Sequence, residues 1–253
     1  MKSSMTRILA LAVCLLLLIS GNTFASAYSD ITEQGDPELY RIVDTLSGMK
    51  VITGYPDGTF QPDRIVSRAE FAVILTRLFG QEDNIDSYRN VILQFSDIDD
   101  HWAKAYIEYA AGYSIVNGMG DGTFNPDCTV TYAQVLKMLV CALGYGSYAL
   151  QNGGWPHGYL QAASDLGLTE LVSIIDMSQP CPRKDVVLMV VKAYDVNLTY
   201  SGTDGFISVI DDELGHRPNY LLDYVLKKYP DLNFVDYRDF QPSYIDTGDT
   251  AGS

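Results

Sequence analysis

The sequence predicts a mainly α-helical chain built from three helix–loop–helix repeats. Three observations carry that expectation. The decapeptide Gly54-Tyr55-Pro56-Asp57-Gly58-Thr59-Phe60-Gln61-Pro62-Asp63 returns as Gly118-Met119-Gly120-Asp121-Gly122-Thr123-Phe124-Asn125-Pro126-Asp127, with seven of ten positions identical. Both copies run into an amphipathic helix that opens with capping-box chemistry, Ser67 with Glu70 and Thr131 with Gln134. A helical apolar pattern also precedes each copy. Self-similarity of this kind dictates architecture, because a unit that buries only one face must share its core with its neighbours.

The elements follow in order. Lys2 and Arg7, an apolar run from Ile8 to Ile19 and the small residues Ala25-Ser26-Ala27 form the three-part pattern of a secretory signal peptide over residues 1–27. The first repeat spans residues 35–80. It has a helix from Pro37 to Leu46, with Leu39, Ile42, Val43 and Leu46 on its apolar face, and a second helix from Ser67 to the stop at Gly80. Residues 81–93 read as a polar linker. The second repeat, 94–144, begins Phe95-Ser96-Asp97, enters a helix through His101-Trp102-Ala103, and ends with the helix from Thr131 to Leu143. Residues 145–154, rich in Gly and Tyr, read as a loop. The third repeat, 154–195, is degenerate. Trp155-Pro156 opens one helix and Cys181-Pro182-Arg183-Lys184-Asp185 another, with no Asp-Gly-Thr-Phe between them. A C-terminal extension, 196–253, carries a short apolar run at Phe206–Ile210 that suits a strand, a helix from Pro218 to Tyr229, and a polar end expected to be partly disordered.

Composition excludes several functions. The net charge is −15, which opposes nucleic-acid or anionic-membrane binding by bulk attraction. No segment after the leader is apolar enough to span a bilayer. Cys128, Cys141 and Cys181 are an odd set without Cys-x-x-Cys spacing, and His101, His157 and His216 are scattered, so no zinc site is expected. Cys141 reads as a core residue, and a Cys128–Cys181 bridge is left open. The acids are too sparse for an EF-hand loop. No metalloprotease or serine-hydrolase signature occurs, and nothing calls for a cofactor. The chain is expected not to be an enzyme.

These residues resemble the S-layer homology family. The resemblance rests on Phe95-x-Asp97 and His101-Trp102-Ala103, on the two Gly-x-x-Asp-Gly-Thr-Phe-x-Pro loops, and on Ser67-Arg68-Ala69-Glu70 and Pro182-Arg183-Lys184-Asp185. It covers about residues 35–195. It implies a pseudo-threefold helical bundle with grooves between units. It also implies an exported protein held at the cell wall or surface of a Gram-positive-type bacterium by secondary wall polysaccharide, often pyruvylated, or by a peptidoglycan-linked polymer. The departures are specific. Tyr132 stands where the family has Arg, the first unit lacks the aromatic-x-Asp and His-Trp-Ala opening, and the third lacks its loop. A surface scaffold that binds proteins through decayed grooves is the alternative.

The resemblance makes Arg68, Arg183, Trp102, Asp57, Gly58, Gly118 and Asp121 the candidate carbohydrate-binding residues. A cation in a first helical turn is disfavoured by the helix dipole, so Arg68 and Arg183 need another reason to be there. A planar guanidinium suits a carboxylate or pyruvyl ketal, or an ion pair with a nearby acid. Trp102 suits stacking on a sugar face or a place in the inter-repeat core. Asp57 and Asp121 precede glycine and read first as turn residues. Phe60 and Phe124 read as buried plugs.

Overall fold

The computed structural model describes residues 28–88, 95–173, 176–198 and 220–232. The leader, the apolar run at 206–210 and the C-terminal end lie outside them. Eight α-helices are described: α1 (Pro37–Gly48), α2 (Arg68–Leu78), α3 (Lys104–Gly112), α4 (Tyr132–Ala142), α5 (Gly146–Gln151), α6 (His157–Asp165), α7 (Arg183–Lys192) and α8 (Leu221–Lys228). Among the described residues there is no strand longer than an isolated bridge. The mainly α expectation holds.

Local sequence sets the helix starts. Asp36 caps α1 by accepting from the Leu39 N–H at 3.0 Å, and Pro37 occupies the first turn, where its missing N–H costs nothing. Both capping boxes form. The Glu70 N–H donates to Ser67 Oγ at 3.2 Å and the Ser67 N–H to Glu70 Oε2 at 2.8 Å. The Gln134 N–H donates to Thr131 Oγ1 at 3.3 Å and the Thr131 N–H to Gln134 Oε1 at 3.1 Å. Helix α7 begins at Pro182 with no side-chain cap.

The helices pair around a ring. Helix α3 packs on α2, α6 on α4, and α1 on α7. The first helix of each pair therefore covers the second helix of the pair before it in the cycle, and α1 closes on α7 across most of the chain. A ring of backbone bonds stitches the same junctions. The Arg68 and Ala69 N–H groups donate to the carbonyls of Cys128 and Pro126. Those of Tyr132 and Ala133 donate to Gln179 and Met177, and those of Arg183 and Lys184 to Arg64 and Pro62. At the centre the Val66 N–H donates to Cys181 O, the Cys181 N–H to Val130 O, and the Val130 N–H to Val66 O, at 3.2, 2.9 and 3.0 Å. The first N–H groups of a helix have no partner within it. Here the carbonyls of the adjacent segment supply them, so each helix start depends on its neighbour.

The loops are held by a second device. Asp97 Oδ1 and Oδ2 accept from the N–H groups of Phe124 and Asn125 at 2.8 and 2.7 Å. Asp30 does the same for Phe60 and Gln61, both at 2.7 Å. Phe95 packs on Phe124 with ring centroids 5.4 Å apart, and Tyr28 on Phe60 at 5.8 Å. Phe60 and Phe124 are fully buried, as plugs should be. The first segment therefore does possess an aromatic-x-Asp opening, Tyr28-x-Asp30, and its structural boundary lies before residue 35. The expectation that it lacked one is corrected: the tyrosine directly follows the small-residue pattern of Ala25-Ser26-Ala27, which obscures it. Glycine is required where these aromatics cross the loop. A Cβ on Gly118 would stand 2.5 Å from Thr123 O and 2.6 Å from Phe95 Cε1.

Two linkers differ from expectation. Residues Glu82–Tyr88 form a 3₁₀ helix, anchored by the buried Gln81 amide. Its Nε2 donates to Phe79 O and Tyr224 Oη, and its Oε1 accepts from Tyr109 Oη and Asn84 Nδ2. Residues 145–154 contain α5, which packs on α6 around buried Ala149. A high glycine content pointed to a loop, but tertiary packing overrides that weak preference. Helix α8 rests on the 3₁₀ turn Ala193–Asp195 and reaches the first segment, where Tyr229 Oη donates to Gly80 O at 3.0 Å and Asp83 Oδ2 at 2.6 Å. Cys128 is exposed, whereas Cys141 and Cys181 are buried, and none of the three is in a disulfide, so there is no Cys128–Cys181 bridge.

Candidate carbohydrate-binding grooves

Two equivalent grooves lie where three segments meet. The first, with a volume of about 250 Å³, has Arg68 at its base, residues 115–119 along one wall, Gln134, Lys137 and Met138 of α4 on the other, and Trp155 at the rim. The second, about 230 Å³, has Arg183 at its base, residues 51–55 on one wall, Glu70, Val73, Ile74 and Arg77 of α2 on the other, and Trp102 at the rim. Each groove takes its arginine, its walls and its tryptophan from three different segments.

Both arginines are 6% exposed. Arg68 Nε donates to Phe124 O at 2.9 Å and Nη2 to Asn117 O at 3.0 Å, with the guanidinium 4.4 Å from the Phe124 ring centroid. Arg183 Nη2 donates to Thr53 O at 2.5 Å and its guanidinium lies 4.8 Å from the Phe60 centroid. Arg183 Nε is buried without a hydrogen-bond partner. Among the described residues neither guanidinium has a carboxylate within ion-pair distance. The expected alternative of a simple ion pair is therefore corrected: the forks are docked on backbone carbonyls of the next loop. Burial pulls both arginines below the ordinary guanidinium range, against the weaker opposing pull of Asp97 and Cys128 on Arg68 and of Glu70 on Arg183. A buried cation without a counter-ion is costly, and an anionic ligand offsets that cost.

The tryptophans are surface groups. Trp102 is 63% and Trp155 52% exposed, so the core alternative for Trp102 does not hold, nor does the reading of Trp155 as a helix anchor alone. Trp102 meets Arg183 and not Arg68, whose groove belongs to Trp155. Lys137 Nζ stands 5.4 Å from the ring centroids of both Trp155 and Tyr159. Sequence reading favoured helix entry over sugar stacking for Trp155 and missed Lys137. The available signal was the three-residue step from Gln134 to Lys137, which puts both on one helix face.

The loop residues divide. Gly118 and Gly54 line the grooves. Asp57, Gly58 and Asp121 occupy exposed loop tips and are not in either lining. Asp57 Oδ1 accepts from the Thr59 N–H at 3.0 Å and Thr59 Oγ1 at 2.6 Å, and Asp121 accepts from Thr123 at the same distances. Gly58 lies at φ +79° between them. Asp176 makes the matching contacts to Ser178. The hydroxyl donors hold all three carboxyls below the ordinary aspartate value of 3.8. A folded value below the unfolded one gives stability that is complete above pH 3.8 and is lost as pH falls through the lowered value. The melting temperature is thus expected to fall with acidification below that point, and to fall less in an Asp57→Asn/Asp121→Asn variant. Equal acid sensitivity of the two proteins would discard this role.

The third equivalent position carries no arginine. Tyr132 occupies the place of the arginines and its hydroxyl donates to Asp185 Oδ2. Burial first, and Asp185 second, push this phenol well above its ordinary range.

A ring of interlocked helical repeats with cationic, tryptophan-rimmed grooves defines a repeat-built helical module. Residues 27–72 and 94–136 match the S-layer homology domain, and the chain carries S-layer homology domains at these two segments. Similar proteins include the middle cell wall protein of Brevibacillus brevis, 28% identical over 78% of this chain and 18% of that protein. The cellulosome-anchoring protein of Acetivibrio thermocellus is 36% identical over 37% of this chain and 21% of that protein. The exoglucanase XynX of the same species is 30% identical over 47% of this chain and 12% of that protein. The chain thus spans only a minor part of these relatives' length.

Proposed function

We propose that this protein attaches non-covalently to the bacterial cell wall by seating anionic units of a secondary wall polysaccharide, such as pyruvyl ketals, in its two open grooves. The observation that carries the reading is the pair of buried, counter-ion-free guanidiniums, each beneath an exposed tryptophan. A sugar ring stacked on the tryptophan brings its acidic substituent toward the arginine. This local arrangement suits a chain whose net charge of −15 opposes an anionic polymer at long range. Residues 154–195 serve as a third unit in this proposal, supplying Arg183 and Trp155, while Tyr132 replaces the arginine at the position they would wall. The names of the similar wall and anchoring proteins support a surface location, and no described helix is long and apolar enough to cross a membrane.

The full chain is expected to co-sediment with Gram-positive walls stripped of protein, and to be released when mild acid removes their ketal substituents. Retention only by walls that still carry their proteins would replace this reading with the surface-scaffold alternative, which the Tyr132–Asp185 bond favours at one of the three positions.

A further inference from the structure

We propose that the two grooves are unequal: Lys137 makes the Arg68 groove the seat for an acidic saccharide residue, while Glu70 offsets the charge of the Arg183 groove. The inference rests on the polysaccharide-binding reading above. The helices that wall the grooves correspond in register, so their differences can be read position by position. Glu70 in α2 corresponds to Gln134 in α4, and Val73 to Lys137.

In the Arg183 groove the accompanying charges are already engaged. Glu70 Oε1 accepts from Arg64 at 2.6 Å and its Oε2 from the Ser67 N–H at 2.8 Å, so the carboxylate is fixed at the wall. Arg77 is held by Glu82 through two bonds of 3.1 Å. An acidic ligand approaching Arg183 therefore meets the Glu70 carboxylate, itself paired with Arg64, and no free cation in the place of Lys137. In the Arg68 groove the lining contains no acid, and Lys137 has no carboxylate partner among the described residues. The ammonium stands within reach of two aromatic faces, which hold it by cation–π attraction at the edge of Trp155. A sugar stacked on that indole would lie between two uncompensated cations, Arg68 below and Lys137 beside it. Lys137 is half-buried rather than buried, so its replacement leaves the core intact.

The chain offers a direct test because it has two tryptophans, one at each groove. The full chain with Trp102→Phe reports the Arg68 groove through Trp155, and the full chain with Trp155→Phe reports the Arg183 groove through Trp102. The probe is an acidic oligosaccharide released from protein-stripped Gram-positive wall, alongside the same oligosaccharide with its acidic groups removed. The acidic probe is expected to saturate the Trp155 signal at about tenfold lower concentration than the Trp102 signal, the scale of one charge-assisted contact. The neutral probe is expected to show no such preference. Lys137→Val in the Trp155 reporter should weaken acidic-probe binding about tenfold. Glu70→Gln in the Trp102 reporter should strengthen it. Equal midpoints for the two reporters, or a Lys137→Val variant that binds unchanged, would overturn the inequality while leaving the wall-binding reading intact. Silence of both reporters, together with no retention on stripped walls, would overturn both.

Discussion

Arg68→Ala is expected to lower the unfolding free energy by about 3 kcal/mol, and any loss of wall binding will be inseparable from that. The guanidinium closes the junction between two segments by donating to the carbonyls of Phe124 and Asn117, 56 and 49 residues away in sequence. Truncation leaves the buried Phe124 carbonyl and the partly buried Asn117 carbonyl short of a donor and empties the face of the Phe124 ring. Urea denaturation should show a lower midpoint with an unchanged slope, since the transition is the same and only its free energy differs. Arg68→Lys should recover only part of the loss, because an ammonium cannot reproduce two fixed directions from one planar group. A midpoint within error of the parent for Arg68→Ala would show that the fork is not structural. This outcome bears on how binding is tested. Arg68 both builds the groove and faces it, so Lys137, which builds nothing, is the better probe of the ligand.

Asp97→Ala is expected to cost about 3 kcal/mol, from two charge-assisted hydrogen bonds to backbone N–H groups. Its carboxylate pins Phe124 and Asn125, and Asn125 is held at φ +56°, where a non-glycine residue sits only when its surroundings fix it. Releasing that turn loosens Phe124 O, the acceptor for Arg68, so the damage reaches the groove. Asp30→Ala should act alike on Phe60 and Gln61, which sits at φ +57°. Asp121→Ala, at the exposed tip of the same loop, should cost clearly less. Thermal denaturation of the three variants checks the ranking, and a tip variant as damaging as Asp97→Ala would contradict it.

Most of the helical framework was legible because its signals are local. Ser67 with Glu70 and Thr131 with Gln134 are capping boxes in the sequence and in the structure, and the apolar face of Leu39, Ile42, Val43 and Leu46 is buried as its spacing requires. The candidate site was less legible. Arg68, Arg183, Trp102 and Gly118 do line grooves, yet Arg68 and Trp102 belong to different ones, and Asp57, Gly58 and Asp121 belong to neither. Tyr28-x-Asp30 escaped notice beside the small-residue pattern of Ala25-Ser26-Ala27. Trp155 read as a helix opening, and Lys137 falls outside the repeated motif, so no short pattern announces it.

By itself the sequence determined the paired helices of the repeats, the two capping boxes, the Asp-Gly-Thr-Phe turns and the family. Each depends on residues a few positions apart, whose hydrogen bonds and apolar spacing are fixed before distant parts of the chain meet. Only the tertiary structure decided which arginine shares a groove with which tryptophan, that both guanidiniums are docked on carbonyls, and that Tyr132 is bonded to Asp185. Those outcomes follow from ring closure. The starts of α2, α4 and α7 take their missing acceptors from segments distant in sequence, so every groove is assembled from three parts of the chain that no local pattern connects.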